Sequence, residues 1–210
     1  MEIAILLFQN ITALDAVGPY EVLSRLPDAK VTFVAPEAGL QRTENKMLGL
    51  QADMPMREMP TPDILVVPGG FGTRALTKDD EVLDWIKRAH ASSLWTTSVC
   101  TGSLLLGAAG LLKGLEATTH WMLLDALSEY GATPVSRRIV QQGKIITSSG
   151  VASGIDMALK LADKVAGPEW AQGIQLGIEY DPEPPFVGGS LRTAPPHIVE
   201  LVRERAAELT

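Results

Sequence analysis

The chain has 210 residues, 46% of them apolar and 20% charged, which suits one sizeable globular core and excludes a disordered or fibrous chain. Eighteen basic against 25 acidic residues give a formal net charge of −7, a balance that disfavours nucleic acid and anionic membrane as partners. The single cysteine rules out an internal disulfide and fits a cytoplasmic location. The three histidines (His90, His120 and His197) lack ligand spacing, so no metal site is expected.

In chain order, EIAILLF (residues 2–8) carries no basic leader and reads as a buried strand. LDAVGPYEVLSRL (14–26) has helical spacing. Proline is comfortable only in a first helical turn, so this helix is expected to start near Gly18, with Asp15 just ahead of it. KVTFVAP (30–36) is a second strand, and residues 39–52 read as a small antiparallel hairpin at the sheet edge. DILVVPGG (63–70) is a third strand ending in a Gly-Gly turn, followed by the helical EVLDWIKRAH (81–90). LWTTSV (94–99) is a fourth strand and runs directly into Cys100 and the helical GSLLLGAAGLL (102–112). KIITSSG (144–150) is a fifth strand, followed by the helices GIDMALKLADKVAG (154–167) and PEWAQGIQLGIEY (168–180). The proline-rich DPEPPFVGGSLRTAPP (181–196) precedes a last helix, HIVELVRERAAEL (197–209). Apolar runs alternating with helical patterns give an α/β fold, a mostly parallel sheet with helices on both faces, in one domain over residues 1–210.

Four places carry chemistry. Cys100 sits between a strand and a helix, the arrangement of a nucleophile elbow, and Gly102 and Ser103 supply the small neighbours such a turn needs. Ser98, two residues before, is small but is not the glycine often found there. A lone buried cysteine is as readily inert core, so both readings stand. If Cys100 reacts, the helix start beginning with the Thr101 amide is expected to lower its thiol pKa. The VPGG turn brings bare backbone to a ligand, with Gly69 and Phe71 beside it. The Gly70 amide then pairs with that of Thr101 as an oxyanion site, or the turn is only a turn. Asp15 follows the first strand and so reaches the same sheet edge, either as a helix cap or as a carboxyl group sharing one proton with the Cys100 sulfur. The Thr101 hydroxyl either steers a water or caps its helix, and His120 is either a substrate-binding group or a histidine satisfied within the fold. Trp121, Tyr20 and Phe186 serve equally as pocket walls or as packing.

LDAVGPYEV after the first strand, VPGG after the third and SVCTGSLLLGAAGLLKGLEATTHW across the fourth resemble the cysteine-dependent ThiJ/PfpI superfamily, over essentially the whole chain. YDPEPPF (180–186) narrows the resemblance to its isonitrile-hydrating branch. The resemblance implies a flavodoxin-like three-layer α/β/α sandwich and a homodimer. The implied reaction joins an isonitrile and water into an N-substituted formamide. Asp15, Cys100 and Thr101 are then the catalytic residues, Cys100 passes through a covalent thioimidate, and no metal or organic cofactor is required. Protease-like members carry histidine directly after the cysteine, where this chain has Thr101. Deglycase and glyoxalase-like members use a glutamate in the first helix; Glu21 lies further along it, while Asp15 fits the matching motif. Regulators of the AraC type share the signature but append a helix-turn-helix region, for which a chain ending at Thr210 with acidic balance gives little support. A glyoxalase- or deglycase-like enzyme, and a non-catalytic redox sensor or ligand-binding module, stand as alternatives on the same residues.

Overall fold

Continuous aliphatic runs set the architecture: Ile3 to Leu7 and Ile64 to Val67 are fully buried, as strands covered on both faces must be. The structure, a computed structural model, describes residues 1–208. Its amino-terminal half holds β1 (Glu2–Leu6), α1 (Ala13–Leu23), β2 (Lys30–Ala35), β3 (Gly39–Arg42), β4 (Gly49–Ala52), β5 (Met54–Pro55), β6 (Ile64–Val67), α2 (Thr73–Leu76) and α3 (Asp80–Ser92). There follow β7 (Trp95–Val99), α4 (Gly102–Ala108), β8 (Glu116–Ala117), β9 (Thr133–Pro134), β10 (Ile139–Gln142), β11 (Ile145–Ser148), α5 (Ser153–Ala166), α6 (Pro168–Gly177) and α7 (Pro196–Glu208). Contacts divide the chain into two units, Met1–Ile178 and Glu179–Thr210. The second holds the proline-rich stretch and α7; the expected helix end at Leu209 lies outside the described residues. No described helix is long and apolar enough to cross a membrane.

In the first unit a seven-stranded sheet has the order β10-β11-β7-β6-β1-β2-β5. All neighbours are parallel except β10 against β11. From β1 the chain steps outward to β2, then returns to β6 and steps the other way to β7 and β11. Right-handed crossovers in opposite directions put α1 on one face and α3 and α4 on the other. The gap between β1 and β6 is therefore the topological switch point, where open α/β sheets bind ligands beyond their strand ends. The helices are cut by local chemistry. The Asp79 carboxylate caps α3 by accepting from the amides of Glu81 (3.1 Å) and Val82 (3.2 Å), and α3 buries Val82, Leu83, Trp85, Ile86 and Ala89 on one face. Gly167, at φ +87°, closes α5, and Pro168 opens α6.

Two sequence expectations need correction, and one strand was missed. The first helix begins at Ala13, not near Gly18, and carries Pro19 inside it. Loss of the Pro19 amide is offset by close packing on α5: a Cβ built on Gly18 would lie 3.1 Å from Ile155 Cγ1, and one on Gly154 would lie 3.4 Å from Pro19 Cδ. The hairpin of residues 39–52 is antiparallel as expected but forms its own two-stranded sheet, and β5 takes the edge of the main one. It docks on the segment after β1, where the Asn10 amide donates to Arg42 O (2.7 Å) and Ile11 pairs with Thr43. The antiparallel edge strand β10 escaped the sequence reading, because IVQQ is short and half polar.

Candidate functional site

The ends of β1, β6 and β7, three adjacent strands, deliver Asp15, the Gly69-Gly70 turn and Cys100 to one crevice. Cys100 has φ +54°, a left-handed conformation that costs a residue with a Cβ on the order of 1–3 kcal/mol. Bonds to its backbone hold it there. Its amide donates to Ser149 O (2.8 Å), and its carbonyl accepts from the hydroxyls of Thr119 (2.9 Å) and Ser103 (3.2 Å). The turn also requires Gly102, where any Cβ would collide with Val67 O and lie 2.7 Å from Pro68 O. This is a nucleophile elbow, with Cys100 as a residue 5% exposed.

Asp15 stands in the first turn of α1 and is fully buried. It does not cap that helix, since Thr12 holds the cap position and the Asp15 carboxyl bonds the Gly69 amide instead. Its Oδ2 accepts from the Gly69 amide (2.9 Å), while Oδ1 is buried with no hydrogen-bond partner among the described residues. Gly69 is needed for this approach: a Cβ there would lie 2.5 Å from the Thr101 nitrogen and 2.9 Å from Asp15 Oδ2. Burial raises the Asp15 pKa from 3.8 to about 7, against the Gly69 hydrogen bond; the Glu44 charge adds to the rise and the neighbouring Cys100 side chain opposes it. Burial, then the Asp15 charge, push the Cys100 thiol up as well, against the amides of Thr101 and Val151 and the Thr101 side chain. The expected lowering by the helix start is thus outweighed. The carboxyl and thiol form one coupled pair that loses its first proton near neutrality and holds the second well beyond.

The remaining expected residues divide. Thr101 is 7% exposed and makes no side-chain cap bond. Its Oγ1 accepts from the Gly70 amide (2.9 Å) and lies 3.2 Å from Oγ1 of Thr73, whose hydroxyl donates to Gly70 O (2.8 Å); its own hydroxyl lies 3.3 Å from Gly70 O and also reaches the Cys100 sulfur. The Gly70 amide, expected as an oxyanion donor, is therefore engaged by Thr101. The second amide at the sulfur belongs to Val151, in the loop after β11. Sequence reasoning missed it, since any residue has an amide and only the fold brings this one to Cys100. The His120 side chain has one hydrogen-bond partner among the described residues. Its Nδ1 accepts from the Met122 amide (3.4 Å), while its Cδ2 would lie 3.2 Å from a Cβ on Gly150, next to Val151. Burial lowers its pKa, which keeps the ring neutral. Phe71 is 36% exposed with the Arg74 guanidinium 5.2 Å from its ring centroid, and Tyr20 packs on Phe33. Phe186 lies exposed in the second unit.

Comparison with known proteins gives this geometry a context. The family model described as DJ-1/PfpI matches residues 1–164. The chain is 44% identical over 207 residues to the isonitrile hydratase of Pseudomonas putida, covering 99% of this chain and 90% of that one. It is 30% identical over 153 residues to an HTH-type transcriptional regulator of Pseudomonas aeruginosa, covering 71% of this chain but 43% of the regulator. Among solved structures, a ThiJ/PfpI family protein from Pseudomonas syringae superposes with a TM-score of 0.94 at 38% identity, covering 99% of this chain and 86% of that one.

Proposed function

The chain belongs to the DJ-1/PfpI family, and from that premise we propose that it is a lyase that hydrates an isonitrile to the corresponding N-substituted formamide. One observation carries the reading. A buried carboxyl group with one unpartnered oxygen stands beside the only cysteine, itself fixed on an elbow. An isonitrile carbon must gain both a nucleophile and a proton, and this pair supplies both from one side.

In the one-proton state of the pair, the Cys100 sulfur attacks the terminal carbon as its proton passes to Asp15, and Asp15 delivers that proton to the same carbon. The product is a thioimidate, R–N=CH–S–Cys100, formed with no atom lost. Asp15, ionised again, takes a proton from water as its oxygen adds to the carbon, and returns it to nitrogen. Collapse of the tetrahedral adduct passes its hydroxyl proton to Asp15, expels the sulfur as a thiolate and leaves R–NH–CHO, which restores the one-proton pair. The Thr101 hydroxyl, within reach of both Gly70 O and the Cys100 sulfur, turns to the incoming water and orients it. The amides of Thr101 and Val151 receive the departing thiolate. His120, neutral beside the Gly150 loop, Gly69 in the turn and Phe71 border the substrate. The enzyme acts as a cytoplasmic homodimer.

Incubation with a simple alkyl isonitrile tests the reading. Formation of the formamide, with no lactate from methylglyoxal, is the expected result; lactate without formamide would assign the same residues to glyoxalase chemistry instead.

A further inference from the structure

The hairpin β3–β4 does more than cover the end of β1. It brings Glu44 to the amino-terminal end of α1, where the Glu44 amide donates to Ile11 O (3.2 Å) and the Thr12 hydroxyl donates to Glu44 Oε2 (3.0 Å). Thr12 is the cap residue of α1, its amide bonds Gly69 O (3.0 Å), and its carbonyl accepts from the Asp15 amide (3.1 Å). One residue therefore ties the Glu44 carboxylate, the β6 turn and Asp15 together.

The charge placement runs against what the helix alone favours. Asp15 sits in the first turn of an 11-residue helix, where backbone dipoles stabilise a carboxylate. A second carboxylate at that end opposes the effect. The other groups around Asp15 do not duplicate it. The elbow brings Cys100, the β6 turn brings the Gly69 amide, and α5 brings uncharged Ile155 and Gly154 against Gly18 and Pro19. Within the hairpin, the Lys46 ammonium turns to Asn10 Oδ1, and neither it nor Arg42 makes an ion pair with Glu44 among the described residues. Glu44 is thus exposed to solvent and in no ion pair among the described residues, held by the Thr12 hydroxyl alone among side chains.

We propose that Glu44 is a positioning residue for the proton shared by Asp15 and Cys100: its carboxylate, held by Thr12 at the start of α1, disfavours ionisation of Asp15 and biases that proton toward the carboxyl group and away from sulfur. The sulfur is then more often the thiolate that attacks. The catalytic meaning of this bias rests on the isonitrile-hydrating reading, but the bias itself is measurable without an isonitrile.

The experiment is the pH profile of Cys100 alkylation by iodoacetamide across the neutral range, a clean label because the chain has one cysteine. It compares the parent protein with Glu44→Gln and Glu44→Lys, with isonitrile turnover measured alongside. Glu44→Gln keeps an acceptor for Thr12 and removes the charge. Its acid midpoint is expected about 0.3 pH unit lower, with an alkylation plateau about twofold lower, the size typical of an exposed charge. Glu44→Lys is expected to move both about twice as far. Superimposable profiles for the three proteins would overturn the proposal even if all hydrate isonitriles. Shifted profiles in proteins that hydrate none would sustain it while removing the functional reading.

Discussion

A carboxyl group out of water with one backbone donor cannot ionise at its ordinary pH, and Asp15 is such a group. Its raised pKa gives kcat/KM an acid limb: below about pH 7 the pair holds two protons and Cys100 has no base to relieve it. A profile with no inflection near neutrality would contradict this. The same shift has a stability consequence. The folded-state pKa lies above the unfolded value, so the folded protein binds more protons between pH 3.8 and about 7 and loses stability as pH rises through that window. Asp15→Asn removes this loss. It is expected to lower kcat by about 10²–10⁴-fold while raising stability at pH 8 by on the order of a few kcal/mol, with the gain shrinking toward pH 4. Chemical denaturation of both proteins across that range measures it; a constant difference would contradict the assignment. At this scale the sequence showed which residues to watch, because Cys100 and Thr101 directly follow one strand and Asp15 follows another by way of the first turn of α1. It did not show the direction of the thiol shift. A helix start argues for lowering, and only the burial of both partners reverses it.

Among the elements, two glycines carry the close approaches that build the crevice. At Gly102 a Cβ would meet Val67 and Pro68 carbonyls, backbone that has no rotamer to yield. Gly102→Ala is expected to destabilise the protein by about 3 kcal/mol, near the top of the usual overpacking range, and to abolish turnover. Thermal denaturation checks the first effect; a cost within about 0.5 kcal/mol of zero would show that the elbow tolerates a side chain. Gly69→Ala presses instead on Thr101 and Asp15, so it is expected to lower kcat more than it lowers stability. The alternating apolar and helical runs were legible because buried parallel strands need unbroken aliphatic stretches, as ILVV shows. The start of α1 was not. Pro19 argues locally against a helix, and what overrules it is its packing against α5, more than 130 residues away in sequence. The Val151 amide was hidden for the same reason, since its role depends on where the loop after β11 falls.

For the whole molecule, every group assigned to the chemistry lies in Met1–Ile178. The proposed single domain over residues 1–210 predicts one unfolding transition, with calorimetric and van't Hoff enthalpies that agree. Two separated transitions would make Glu179–Thr210 an independent unit. The proposed homodimer predicts twice the chain mass at sedimentation equilibrium, and a single-chain mass would exclude it. The central claim is that the isonitrile carbon becomes bonded to Cys100 during turnover. Intact-protein mass spectrometry on enzyme quenched during turnover tests it most directly. The account predicts a mass increase equal to the whole isonitrile, located on Cys100, absent from Cys100→Ala, and lost as formamide appears. Formamide production by Cys100→Ala at the parent rate, with no adduct on the parent protein, would contradict it.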